Sequence, residues 1–331
     1  MSSSLPRLLV VTLGGTIASV AAADGVGAVP RLGPAELLAS VPAAAGLADI
    51  SVKSFRQYAS GDLSLDDIIE LAELIRERAD ELDGFVVTQG TDTLEETSYL
   101  LELLLGPIGR PVVLTGAMRN PSLPGADGPA NLLAAIRVAV SPSAAGLGPV
   151  VVFADEVHLP RFVRKAHSSH VAAFRSPHAG PIGWVTEDRV RIPLAPSGYP
   201  APLRPARFTR PLPTVGITKI GLGSAPLRPH HVEGLDGLIV EVFGGGHVPS
   251  TIVESLASVN ESIPVVMVTR TGGGELYEST YAFPGSERDL LDRGLTSGRA
   301  FDAAKARLLL ICLLASGAQR PDIKERFDTA L

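Results

Sequence analysis

Residues Phe85 to Leu105, FVVTQGTDTLEETSYLLELLL, limit what this chain can fold into more than any other stretch. The run opens with Phe85-Val86-Val87, apolar and β-branched without alternation. It therefore reads as a strand buried on both faces. It closes with Leu94, Tyr99, Leu100, Leu103 and Leu104 near a 3.6-residue period, which predicts a helix. Thr88 to Thr93 form a polar turn between them, and Gly90, lacking a Cβ, lets the backbone bend sharply. Thr93 and Glu96 stand at capping-box spacing. A buried strand that turns directly into a helix belongs to a parallel α/β sheet. The turn then lies at the carboxyl edge of that sheet, where ligands bind and the helix dipole favours an anion. Two hydroxyls and a carboxylate in this turn serve either as caps or as ligand contacts, and local sequence leaves both open.

The same build recurs along the chain. Leu8 to Val11 reads as a buried strand running into Thr12 to Ser19, a turn in which Gly14 and Gly15 present Thr16. Ile50 to Phe55 alternates and ends in the polar turn Tyr58 to Asp62. Ser64 and Asp67 then start a helix with the stripe Ile68, Leu71, Leu74 and Ile75. Pro34 suits the first turn of a short helix. Pro111 to Leu114 and Val150 to Phe153 read as further strands, with a helix over 127–139 between them. The predicted fold is α/β: a larger N-terminal parallel-sheet domain with helices on both faces, plus a smaller C-terminal α/β domain. Seven prolines between Pro193 and Pro213 mark a semi-rigid linker. We therefore divide the chain into an N-terminal α/β domain (1–192), a linker (193–213) and a C-terminal α/β domain (214–331). The last should hold strands at 214–219, 237–242 and 264–269 and helices near 250–259, 302–316 and 321–329.

Composition excludes several function classes. The formal net charge of −6 argues against a general nucleic-acid binder and a basic membrane patch. Aromatic residues are too few for base-stacking platforms, and no apolar run approaches the ~20 residues that span a bilayer. Neither GxGxxG after a strand nor GxxxxGK[ST] occurs, so no nucleotide fold is expected. The single cysteine, Cys312, lies in an apolar run and reads as helical core. Four of the seven histidines fall in 158–178, where His167 and His170 invite a metal reading. No cysteine pair or HExxH motif supports one, and no metal or cofactor is predicted. That basic segment reads either as a solvated loop or as one that delivers Lys165 to a crevice. Arg7, the following apolar stretch and Ala21 to Ala23 imitate a secretory signal. Thr12, Gly14, Gly15, Thr16 and Ser19 interrupt its apolar region, so the segment reads as structural and the protein as cytoplasmic. Residues 20–33 read as a loop, either a lid or an ordinary connection.

Two separated turns in this order, Gly14-Gly15-Thr16-Ile17-Ala18 and Gln89-Gly90-Thr91-Asp92-Thr93, resemble those of the bacterial-type L-asparaginase/glutaminase family. The segment GAMRNPSLPGADGPANL (116–132) and the turn GGGHVP (244–249) extend the resemblance over nearly the whole chain. It implies hydrolysis of L-asparagine to L-aspartate and ammonia, with glutamine hydrolysis as a side activity. It also implies Thr16 as nucleophile, supported by Thr91, Asp92 and Lys165. The chemistry is coherent, because a threonine hydroxyl needs a neighbouring base or cation to attack an amide at neutral pH. At the amino-acid end of the substrate, Asp92 suits the ammonium. Ser60, with Gly61 beside it, suits the carboxylate, and Thr91 lies adjacent. Glu275 and Glu278 are candidates for an acidic residue lent by a neighbouring subunit, in a homotetramer built as a dimer of dimers. Three positions depart from the family pattern. Gln89 replaces a histidine, Gly61 stands where glutamine is common, and 20–33 holds no counterpart of the lid tyrosine, for which Tyr58 is a nearby substitute. Two other readings stay open: a non-catalytic asparagine or aspartate sensor, and a tRNA-dependent amidotransferase subunit of the same fold.

Overall fold

The computed structural model describes residues 4–21, 28–30 and 33–330. The chain divides into two compact units, Met1–Pro202 and Leu203–Leu331. In the first, strands β1 (Arg7–Gly14), β2 (Ser19–Ala21) and β3 (Ala28–Pro30) precede helix α1 (Pro34–Ala39) and β4 (Asp49–Tyr58). Then come α2 (Leu65–Arg78), β5 (Gly84–Thr88), α3 (Leu94–Leu105), β6 (Val112–Thr115), α4 (Gly128–Ala139) and β7 (Pro149–Phe153). The unit closes with short strands: β8 (Glu156–His158), β9 (Arg164–Lys165), β10 (Phe174–Arg175), β11 (Gly183–Thr186) and β12 (Arg189–Arg191).

The large sheet has the order β12-β11-β8-β7-β6-β5-β1-β4. The run from β4 to β7 is parallel, as β-branched strands separated by helices require. The edge formed by β8, β11 and β12 is antiparallel. Its strands are too short to show a period, so the sequence pattern reveals only the parallel part of the sheet. Every residue of β5 and β7 is buried. Val10, Val86, Val113, Val150 and Val152 form one core with Leu132, Ala135 and Ile136 of α4. Their alternates, such as Phe85, Val87, Leu114 and Val151, point to the opposite face and are equally buried. Helices therefore cover both faces.

The order carries a switch. From β1 the chain moves to β4 on one side, whereas from β5 it moves to β6 on the other. The carboxyl ends of β1 and β5, paired through Thr12 and Thr88, thus flank the point where connections diverge and a crevice opens.

Helix starts follow the sequence signals with one correction. The Ser64 hydroxyl accepts from the Asp67 amide, closing a capping box on α2. Thr93 makes no side-chain cap on α3. Its hydroxyl is committed elsewhere, donating to the Ser60 carbonyl at 2.9 Å. Most of the lid reading for 20–33 falls on 22–27 and 31–32, outside the described residues. The flanking β2 and β3 pair as an antiparallel ribbon.

The second unit holds a parallel sheet of β13 (Val215–Lys219), β14 (Gly237–Val242), β15 (Val265–Thr269) and β16 (Thr296–Ser297). Helices α5 (Val253–Ser262), α6 (Glu287–Asp292), α7 (Ala303–Ala315) and α8 (Arg320–Thr329) complete it. Its own core gathers Val240, Val242, Leu256, Met267 and Leu290. Cys312 is buried in α7, and burial pushes its thiol up to about 12, too high for a nucleophile at neutral pH. No helix among the described residues is long and apolar enough to cross a membrane.

Candidate active site

The site begins with two turns that touch. β1 ends at Gly14, and Gly15, at φ +83°, delivers Thr16 into a single 3-10 turn (Thr16–Ala18). Gly15 faces the QGTDT turn so closely that an added methyl group would lie 2.1 Å from the Gly90 nitrogen. Positive φ and this approach both demand glycine. A methyl group on Gly90 would in turn lie 2.8 Å from the Ser60 hydroxyl. The loops after β1, β4 and β5 therefore meet at the switch point. Thr16 is half-buried, Ile17 beside it is fully buried, and the Ser19 hydroxyl donates to the Gly15 carbonyl at 2.9 Å. The turn is anchored on both sides of Thr16.

Around Ser60 the polar groups interlock. Gln89 is fully buried, and its Nε2 donates to the Thr93 hydroxyl at 2.9 Å. That hydroxyl passes a hydrogen bond to the Ser60 carbonyl. Ser60 is buried, while Gly61 beside it is exposed with open space around its Cα. Tyr58 ends β4 opposite Gly14 with an exposed ring.

Lys165 reaches the same turn from the separate two-stranded ribbon of β9 and β10. Its Nζ donates to Thr91 Oγ1 at 2.9 Å and to Asp92 Oδ1 at 2.5 Å. Thr91 is buried, whereas the Asp92 side chain is 78% exposed, so one side of the ion pair opens to solvent. The segment leading to Lys165 is not the solvated loop its charge invites. His158 is fully buried and Arg161 nearly so. Arg161 pairs with buried Glu102, donating Nε and Nη2 to Oε1 at 3.1 and 2.8 Å. Burial works against the guanidinium charge, but Glu102 outweighs it and raises the pKa. His167 and His170 are exposed with their rings against each other. Among the described residues no group of three His, Cys, Asp or Glu side chains is placed to hold a metal ion.

Chemically the arrangement offers one hydroxyl, Thr91, held by an ammonium that a carboxylate also binds, with a second, Thr16, on the turn packed against it. Such a set can assist attack on a carbonyl. The sequence agrees at the level of whole domains. The profile for "Asparaginase, N-terminal" matches residues 7–197, and that for "Glutaminase/Asparaginase C-terminal domain" matches 216–327. The chain belongs to the asparaginase family. As a member it is an amidohydrolase. A "Probable L-asparaginase" of Deinococcus radiodurans is 37% identical, over 99% of this chain and 98% of the relative. An "L-asparaginase" of Bacillus licheniformis is 34% identical, over 97% and 98%. The crystal structure of a "Probable Cytoplasmic L-asparaginase" from Campylobacter jejuni superposes with a TM-score of 0.86 at 29% identity, covering 97% of this chain and 99% of that one.

Within this member of the asparaginase family, Thr16, Ser60, Gly61, Thr91, Asp92 and Lys165 all belong to the first unit. Glu275 and Glu278 belong to the second, where both pair with Arg299, which also binds Asp328 at 2.7 Å. Sequence reasoning passes over Glu95, whose carboxylate accepts the backbone N–H of Lys165. It also passes over the Arg161–Glu102 pair. The available signal was a pair of glutamates seven residues apart on one helix, opposite a basic loop.

Proposed function

We propose that this chain hydrolyses the side-chain amide of L-asparagine to L-aspartate and ammonia, with glutamine as a poorer second substrate. The observation that carries the reading is the Lys165 ammonium bonded to both Thr91 and Asp92 beside the turn that bears Thr16. In this reading the Thr16 hydroxyl attacks the amide carbon. The Thr91, Lys165 and Asp92 set takes its proton and returns it to the departing amine. Ammonia leaves, and water then opens the threonine ester to release aspartate. Backbone N–H groups of the glycine turns stabilise the oxyanion, each worth roughly 10²–10³ in rate. General-base assistance adds about 10²–10⁴. Asp92, open to solvent, receives the substrate ammonium, and Ser60 with Gly61 receives the carboxylate. Glu275 or Glu278 supplies the acidic residue lent to a neighbouring copy's site in a homotetramer. The functional division follows 1–192, 193–213 and 214–331, and the protein works in the cytoplasm.

Ammonia release from L-asparagine and L-glutamine, measured for wild type and Thr16→Ala, tests the proposal. Release that vanishes in a folded Thr16→Ala variant supports Thr16 as nucleophile. Release that survives refutes that assignment. The absence of tyrosine from 20–33 favours one competing reading, a sensor. Asparagine that binds wild type without ammonia release would establish it.

A further inference from the structure

The ribbon that carries Lys165 is not what holds it against Thr91 and Asp92. β9 is two residues long, and its partner in the ribbon is the equally short β10. A two-stranded ribbon of that length has little stability of its own. The grip comes from α3. The Lys165 amide donates to Glu95 Oε2, and Glu102, seven residues further on, holds Arg161. Seven residues are about two helical turns, so both glutamates stand on one face of α3. The turn bearing Thr91 and Asp92 leads directly into this helix. A single rigid element thus fixes both partners of the contact. Its N-terminus sets the hydroxyl and carboxylate, and its acidic face sets the backbone from which the ammonium projects.

We propose that Glu95 is a positioning residue, whose carboxylate sets Lys165 in register with Thr91 and Asp92 by accepting the Lys165 amide hydrogen. The proposal rests on reading those three side chains as catalytic machinery. A charge-assisted bond to a backbone amide is short and directional, so it fixes where the lysine side chain begins. Displacing a reacting group by about 1 Å costs on the order of 10²-fold in rate. A first-turn glutamate also favours the helix dipole, but that role does not depend on Lys165. The two roles are therefore separable.

Glu95→Ala, Glu95→Gln, Lys165→Met and the double variant Glu95→Ala/Lys165→Met decide it. Each is checked for folding by near-UV circular dichroism and assayed for ammonia release from L-asparagine. The lysines are also dimethylated with 13C-formaldehyde and observed by NMR. The chain has five lysines, so the Lys165 signal is assigned by its loss in Lys165→Met. Glu95→Ala is expected to lower kcat on the order of 10²-fold with KM within about threefold, and to shift the Lys165 resonance. Glu95→Gln, which keeps an oxygen acceptor, is expected to recover most of the loss. In the Lys165→Met background, Glu95→Ala should add nothing further. A full additional loss in that background would overturn the proposal, and so would an unmoved resonance. If wild type releases no ammonia, the catalytic reading fails by itself and the resonance alone decides Glu95: a shift supports positioning, and no shift refutes it. Should Glu95→Ala not fold, Glu95→Asp, shorter by one methylene, takes its place with the same expectations.

Discussion

Gln89 stands where the family pattern has histidine, and its surroundings give the residue a structural task. Fully buried, it ties Thr93 to the Ser60 loop, a link a neutral amide makes without a titrating group. Gly61 is the opposite case, an exposed position with open space around it. A side chain is therefore tolerated there, and a glutamine amide could reach a substrate carboxylate. Gly61→Gln is expected to lower KM for L-asparagine about 3–10-fold, the worth of one hydrogen bond, with kcat and Tm little changed. Steady-state kinetics check it. His158 gives the chain a pH dependence. Its Nδ1 meets Ser176 Oγ at 2.9 Å. Glu156 Oε2 lies 3.4 Å from Nε2, which nonetheless has no hydrogen-bond partner among the described residues. Burial, with Arg175 nearby, pushes its pKa down to about 4. The unfolded chain regains the ordinary value near 6.5 and takes up a proton first. Stability is therefore complete above about pH 6.5 and is lost as pH falls toward 4, by about 3 kcal/mol in all. Urea unfolding at stepped pH should show this slope in wild type and a shallower one in His158→Gln.

At the scale of elements, α3 does more than cover the sheet. Its buried Glu102 is matched by Arg161, whose guanidinium also lies 4.9 Å from the Tyr199 ring centre. Removing one partner of a buried ion pair leaves the other charge desolvated. Arg161→Met is expected to cost about 3–5 kcal/mol, and Arg161→Met with Glu102→Leu to recover much of it. Denaturant unfolding of the three proteins measures both. Sequence periodicity finds α3 and β5 because long apolar patterns repeat the same instruction at every turn. It does not find the antiparallel edge of β8, β11 and β12, or the β9–β10 ribbon. Two to four residues cannot express a period, and their pairing is decided by strands already in place.

Each of the two units has its own core, centred on Val113 and Leu132 in one and on Val240 and Leu256 in the other. Separate cores unfold as separate cooperative blocks. The one tryptophan, Trp184, lies in the first unit. Its fluorescence should therefore follow a different denaturation curve from far-UV circular dichroism, which averages both. Coincident curves would mean that the units unfold together. The sequence by itself determined the alternation of strand and helix, the two glycine turns and the residue types they present. These are local instructions, written in periodicity, in residues without a Cβ and in capping groups. It named Thr16, Ser60, Thr91, Asp92 and Lys165 through resemblance, but could not say what holds the lysine of a separate short ribbon against the turn after β5. Only the tertiary structure decided that. The contact between Gly15 and Gly90, the bond from Glu95 to the Lys165 backbone and the pairing of Arg161 with Glu102 join residues far apart in the chain. Contacts of that separation are selected by packing as the sheet closes, which no local pattern encodes.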